Sequence, residues 1–162
     1  MTELEMMQAL QTQLLAEVWP GGSDPVFPSG SVVITAGMER RALEGLRPPI
    51  LLMSPGNAVN DPDDPNLVEV TLDMVLAVAV PGDALGQNAL VGANRVDATL
   101  SGGAGLLLVQ ERMHSGIGKF TRVNGVAIHN VAAGRVKAEV DSEDTYIARR
   151  GYQFKATVSQ VT

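Results

Sequence analysis

The alternation between Leu67 and Val80 constrains this chain more than any other feature. Val68, Val70, Leu72, Met74, Leu76, Val78 and Val80 occupy every second position without a break. The positions between them begin polar, with Glu69, Thr71 and Asp73, and turn apolar at Val75, Ala77 and Ala79. Residues two apart share one face of a strand, so the pattern predicts a strand that starts with one wet face and ends buried on both. At about 3.3 Å per residue it is roughly 45 Å long, longer than a small domain usually needs. Such a strand is expected to extend past the body or to bend at a bulge.

A second alternation closes the chain over Tyr152 to Val161. Tyr152, Phe154, Ala156 and Val158 point inward, while Gln153, Lys155, Thr157 and Ser159 point out. At the other end, Thr2 to Val18 reads as an amphipathic helix with Leu4, Met7, Leu10, Leu14 and Val18 on its apolar side. Thr2 and Glu5 have the spacing of a capping box, and Pro20-Gly21-Gly22 ends the helix. Helix formers recur over Met38 to Leu46, more weakly over Asp83 to Thr99, and over Ala104 to Met113, where Gly116 and Gly118 read as stops. Ser31 to Thr35 is a short strand or the lead into a helix, and short strands are expected at Ile50 to Met53, Arg122 to Val126, Ile128 to Val131 and Arg135 to Val140, with an acidic turn at 141–144. Runs of antiparallel strands beside a few helices predict an α+β fold. The expectation is one domain over 1–162, mainly an antiparallel sheet, with an N-terminal helix and one or two further helices packed against it. Its 162 residues suffice for one core without covalent staples.

Ser54 to Asn66 stands apart. It holds Pro55, Gly56, Asn57, Asn60, Asp61, Pro62, Asp63, Asp64, Pro65 and Asn66, so it is expected to be a mobile loop projecting into solvent or onto a partner.

The residues that carry chemistry are sparse. With no cysteine, disulfides, thiolate metal sites and cysteine nucleophiles are excluded. His114 and His129 lie in different elements and form no His-x3-His pair, so no zinc site, which needs three or four ligands, is expected. Asp61, Asp63 and Asp64 suggest calcium, but the sixth position of an EF-hand count from Asp61 is Asn66 and the twelfth is Leu72, where Gly and Glu are needed. Ser101-Gly102-Gly103-Ala104-Gly105 lacks the Lys-Ser/Thr of a phosphate-binding loop. The expectation is therefore a protein that is not an enzyme, with no catalytic residues, cofactor or metal. Lys and Arg number 12 against 18 Asp and Glu, a net charge of −6, which argues against gripping nucleic acid by phosphate neutralisation. Residues 1–18 carry Glu3, Glu5 and Glu17 and lack the basic start of an export signal. The most apolar run, Met74 to Val80, is far short of the ~20 residues of a membrane helix.

The order of parts is an N-terminal helix, a strand-and-helix segment, a long strand after a polar loop, a middle helix, and a close on Arg149-Arg150-Gly151-Tyr152-Gln153-Phe154 through Val161. That order resembles the tail-terminator (tail-completion) proteins of long-tailed double-stranded DNA phages. The resemblance implies a structural subunit forming a ring, a hexamer, that caps the tail tube and joins it to the head. The implied partners are further copies of the chain, the tail tube protein and the head-tail connector protein, with DNA passing through without tight binding and no membrane contact. The implied location is the head-proximal end of the virion tail. Arg40, Arg41, Asp61, Asp63, Asp64, Arg149 and Arg150 are the candidate subunit or partner contacts, the arginines pairing with acidic groups of a neighbour. Arg149 and Arg150 are expected just before the closing strand. A head-tail connector of the same particle, and a small hydrolase with a carboxylate site, are the alternative readings.

Overall fold

A computed structural model describes residues 1–37, 45–92, 103–142 and 144–161. The chain runs α1 (Glu3–Leu15), β1 (Val32–Ile34), β2 (Ile50–Asn60), β3 (Leu67–Pro81), α2 (Gln87–Val91), α3 (Leu106–Asn124), β4 (Ile128–Ala133), β5 (Lys137–Ser142) and β6 (Thr145–Ser159). The fold is α+β, as the sequence predicts. Six strands form one sheet in the order β1-β2-β3-β6-β4, with β5 also paired to β6. Among the described residues, only the β1–β2 pair is parallel.

The centre of the sheet is the β3–β6 pair. It runs in unbroken antiparallel register from Leu67 opposite Ser159 to Pro81 opposite Thr145. The long strand read from sequence is therefore real, and its partner is equally long. Val68, Val70, Leu72, Met74, Leu76, Val78 and Val80 are all buried, and on β6 so are Ala148, Tyr152, Phe154, Ala156 and Val158. Glu69 and Asp73 are exposed while Ala77 is buried, which is the predicted change from a wet second face to a covered one. That second face carries a small separate cluster of Ile50, Leu52 and Ala77.

Helices α1 and α3 build the main core against the other face. Thr2 Oγ1 accepts from the Glu5 amide and Glu5 Oε2 accepts from the Thr2 amide, completing the predicted capping box. The buried stripe of α1 is Met6, Met7, Leu10 and Leu14. Leu4 and Val18, expected on this stripe, are exposed. At about 100° per residue Leu4 sits well round the cylinder from Leu10, and Val18 lies beyond the helix end. Beyond α1, Trp19, Val26 and Phe27 turn back into the core, and the Val26 amide donates to the Glu17 carbonyl.

Helix α3 differs most from the sequence reading. It passes through Gly116 and Gly118 and through the segment expected to be a strand at Arg122, ending at Gly125, whose left-handed φ of 69° closes it. A Cβ at Gly116 would lie 2.8 Å from Leu14 Cδ2 and 3.0 Å from Glu17 Cγ. Gly116 is thus the point where α1 and α3 touch, a packing role that a local stop signal resembles. Glu17 itself is buried there, and its Oε1 accepts from Lys119 Nζ at 2.7 Å.

Two further expectations need correction. Ser54 to Asn60 is not loop but the second half of β2, paired to β3 down to Asn60 opposite Val68 with a bulge between Pro55 and Ala58. Its exposure is as predicted, since Pro55 to Asn60 are all exposed. Polar residues are tolerated there because β3 supplies the ladder and nothing needs to pack over them. The closing strand begins at Thr145 rather than Tyr152, because β5 turns directly into it. The helix expected over Met38 to Leu46 falls largely outside the described residues, as does the second half of the one expected over Asp83 to Thr99.

Candidate subunit interface

Of the candidate contact residues, Arg40 and Arg41 lie outside the described residues. The other five fall in two places. Asp61, Asp63 and Asp64 form the tip of the β2–β3 hairpin, and their carboxylates shape the turn. Asp61 Oδ1 accepts from the amides of Asp63 and Asp64 at 2.8 and 3.2 Å, and Asp64 Oδ1 accepts from Asn66 at 2.9 Å. These are the local side-chain bonds by which aspartate fixes a turn. Among the described residues, no group of three His, Asp or Glu side chains is placed to hold a metal ion.

Arg149 and Arg150 lie inside β6, opposite Ala77 and Leu76 of β3, not ahead of the strand. Adjacent strand residues point to opposite faces, so the two arginines do not make one patch. Arg149 lies across from β5 and its Nη2 donates to Glu139 Oε1 at 3.0 Å. Arg150 turns to the helix side. Its Nε donates to the Gly134 carbonyl at 2.8 Å, its Nη1 to Gln110 Oε1 at 3.1 Å, and its guanidinium stands 5.8 Å from the Tyr152 ring centre. The turn aspartates flank the Leu67 end of β3 and the arginines face its middle, roughly 30 Å further along the strand. Among the described residues, the acidic and basic candidates are therefore not brought together.

The arginine leads instead to a polar network that the sequence reading missed. Gln110 Oε1 also accepts from Tyr152 Oη at 2.6 Å, and His114 on the next turn of α3 meets the Tyr152 ring edge-on at 6.2 Å and Phe154 at 6.0 Å. Gln110 and His114 are four apart on one helix face, and Arg150 and Tyr152 two apart on one strand face, so the juxtaposition follows from the two periodicities once α3 is set over β6. Burial pushes the Tyr152 hydroxyl up to about 12, with Arg150 pulling the other way. Burial also lowers the His114 imidazole below its ordinary value. The hydrogen bonds of Tyr152 and Arg150 to Gln110, with the His114 ring against Tyr152 and Phe154, clamp α3 onto the sheet.

The His114 shift has a consequence for stability. Below about pH 6.5 the unfolded chain takes up a proton that folded His114 resists. Its contribution is therefore full above that pH and declines as pH falls towards the depressed folded value. Acid unfolding of wild type and His114→Phe, compared between pH 7 and pH 5, should show a shallower loss in the variant; equal slopes would show that His114 takes no part in the acid sensitivity.

The flanks of the sheet complete the exposed surface. On β4 every residue from His129 to Ala133 is exposed, and on β5 so is every residue from Lys137 to Asp141. Val131 and Val140 are among the exposed apolar side chains. No protein-family model matches the chain, and no curated protein matches it either.

Proposed function

We propose that this chain is a non-enzymatic structural subunit of a phage or phage-derived particle, of the tail-terminator type. It assembles with copies of itself into a ring of six, caps the tail tube, and joins the tube to the connector of the head, at the head-proximal end of the virion tail. The observation that supports this best is the division of the sheet. Its middle is a long, fully packed β3–β6 pair, while β4, β5 and the second half of β2 stand exposed on nearly every residue. Exposed strands are aggregation-prone unless a partner takes them, so a sheet with such flanks suits an assembly subunit. The N-terminal helix, the long β3, the middle helix and the closing β6 are parts on which the resemblance drawn from the sequence also rests. A net charge of −6 suits a lumen through which DNA slides without sticking.

The test is mass and shape in solution. Light scattering should give a discrete oligomer of six chains, negative-stain electron microscopy a ring with a central opening, and a DNA-binding titration at physiological salt no tight complex. A chain that stays monomeric at high concentration, or a ring that holds DNA tightly, would each overturn the reading.

A further inference from the structure

Among the described residues, two edges of the sheet carry no further strand, and they match. On one side, β1 covers β2 only from Leu51 to Met53, and the Thr35 amide bonds to the Met53 carbonyl as the last described contact along that edge. Among the described residues, no strand pairs with the outer side of Ser54 to Asn60. On the other side, β4 ends the strand order, and among the described residues no strand lies beyond it.

The two edges lie at the same height. Ser54 is opposite Asp73, Asp73 opposite Gln153, and Gln153 opposite Ala132. Ala58, Val70, Ala156 and Ile128 form another such row. Each edge carries a bulge, between Pro55 and Ala58 and between Asn130 and Ala132, and both flank the Leu72–Phe154 row. Bulges bend a strand, so the two edges curve at one level. Their polarity also agrees. Three successive antiparallel pairings leave β2 and β4 running in opposite directions. A rotation about an axis along the strands would then set β4 of one copy antiparallel to β2 of the next.

The composition of the edges points the same way. Edge strands that must stay solvated usually carry lysine or other charges. Ser54 to Asn60 and Ile128 to Ala133 contain no Lys, Arg, Asp or Glu. Each shows a solvent-exposed valine instead, Val59 at 60% and Val131 at 52% exposure. The outward backbone groups can be assigned. The Asp61 amide bonds the Leu67 carbonyl, which turns the Asn60 and Ala58 amides away from β3. The Gly134 amide bonds the Gly151 carbonyl, which turns the Ala133 amide away from β6.

We infer that the Ser54–Asn60 edge of one copy pairs, antiparallel, with the β4 edge of the next, so that one sheet continues from subunit to subunit. This rests on the ring reading above and gives its interface. The contact is head-to-tail, each copy using two different surfaces, which builds a ring when the rotation between neighbours closes, as the ring reading requires.

Proline separates this interface from the fold. On an edge strand a proline at an outward amide removes a donor that only a neighbour uses. Ala58→Pro and Ala133→Pro should each melt near the wild-type temperature yet run at the mass of one chain, 17.1 kDa. Mixed in equal amounts they should give a two-chain species, because each supplies the edge the other lacks. Hydrogen exchange on the wild-type oligomer gives a second reading that needs no variant: the amides of Ala58, Asn60 and Ala133 should be protected in the oligomer and lose that protection on dilution to single chains. Full ring mass in both variants, or fast exchange of those amides in the ring, overturns the edge pairing and leaves the ring to another surface. A two-chain species from Ala58→Pro alone overturns it in favour of symmetric β4 pairing. Wild type that remains a single chain at every concentration overturns the ring reading itself.

Discussion

Phe154→Ala should lower the stability of the folded chain by about 3–5 kcal/mol, the range for truncating a buried phenylalanine. Phe154 is 1% exposed. It lies opposite Leu72 on β3 and Asn130 on β4, with the Tyr152 ring at 6.2 Å and His114 at 6.0 Å. It therefore holds the centre of the sheet to α3, and the walls around it belong to paired strands that cannot collapse into the gap. Natural domains have about 5–15 kcal/mol in all, so the loss is a large share. For a chain of this size it corresponds to a fall in melting temperature of about 6–20 °C. A thermal melt by circular dichroism measures it, and an unchanged midpoint would show that the site is not packed.

Gly116→Val and Gly118→Ala should move stability in opposite directions although they lie two residues apart in α3. A side chain at Gly116 meets Leu14 Cδ2 at 2.8 Å and Glu17 Cγ at 3.0 Å, and both residues are buried, so neither can swing aside. Over-packing of this kind costs about 1–3 kcal/mol, and displacing Glu17 also disturbs its bond to Lys119. At Gly118 the nearest group to a Cβ is Arg122 Nη1 at 3.7 Å, an ordinary contact with a flexible tip. There alanine should stabilise the helix by about 0.5–1 kcal/mol through the lower backbone entropy cost. Chemical denaturation of the two variants measures the contrast. Equal effects would mean that α1 and α3 do not meet at Gly116.

These two glycines also show where the sequence is readable and where it is not. The β3 strand, the inward face of β6 and the capping box of α1 are legible because each depends on residues close together in the chain and on a fixed period. The course of α3 is not, since what permits a helix through Gly116 is Leu14 on another helix. The second half of β2 is hidden for a related reason. Ser54 to Asn60 has loop composition, and it is a strand because β3 beside it offers a complete ladder. Arg149 and Arg150 read as a free basic pair, yet the strand period sends them to opposite faces and the partners of Arg150 come from Gln110 and Gly134. The aspartates lie at the β2–β3 turn, with Asp63 exposed, but the carboxylates of Asp61 and Asp64 are engaged by the turn itself. The charge-free composition of Ser54 to Asn60 and Ile128 to Ala133 is visible in the sequence, but that these segments are edges is not, because an edge is defined by which strands are neighbours.

The position of β6 has a consequence for how the protein is made. It is the last strand of the sheet in chain order, yet it lies at the sheet's centre, between β3 on one side and β4 and β5 on the other. During synthesis β3 leaves the ribosome long before the strand that covers it. In that interval β2 is the one described strand paired to β3, although the helices that pack on its apolar face precede β6, and β4 and β5 have no strand to pair with. Contacts between residues as distant as Leu67 and Ser159 form slowly, and an unpaired strand edge is prone to aggregate in the meantime. The nascent chain thus stays unfinished at the centre of its sheet until β6 emerges, and a chain cut short a few residues inside that strand would hold every other described element around an unclosed sheet.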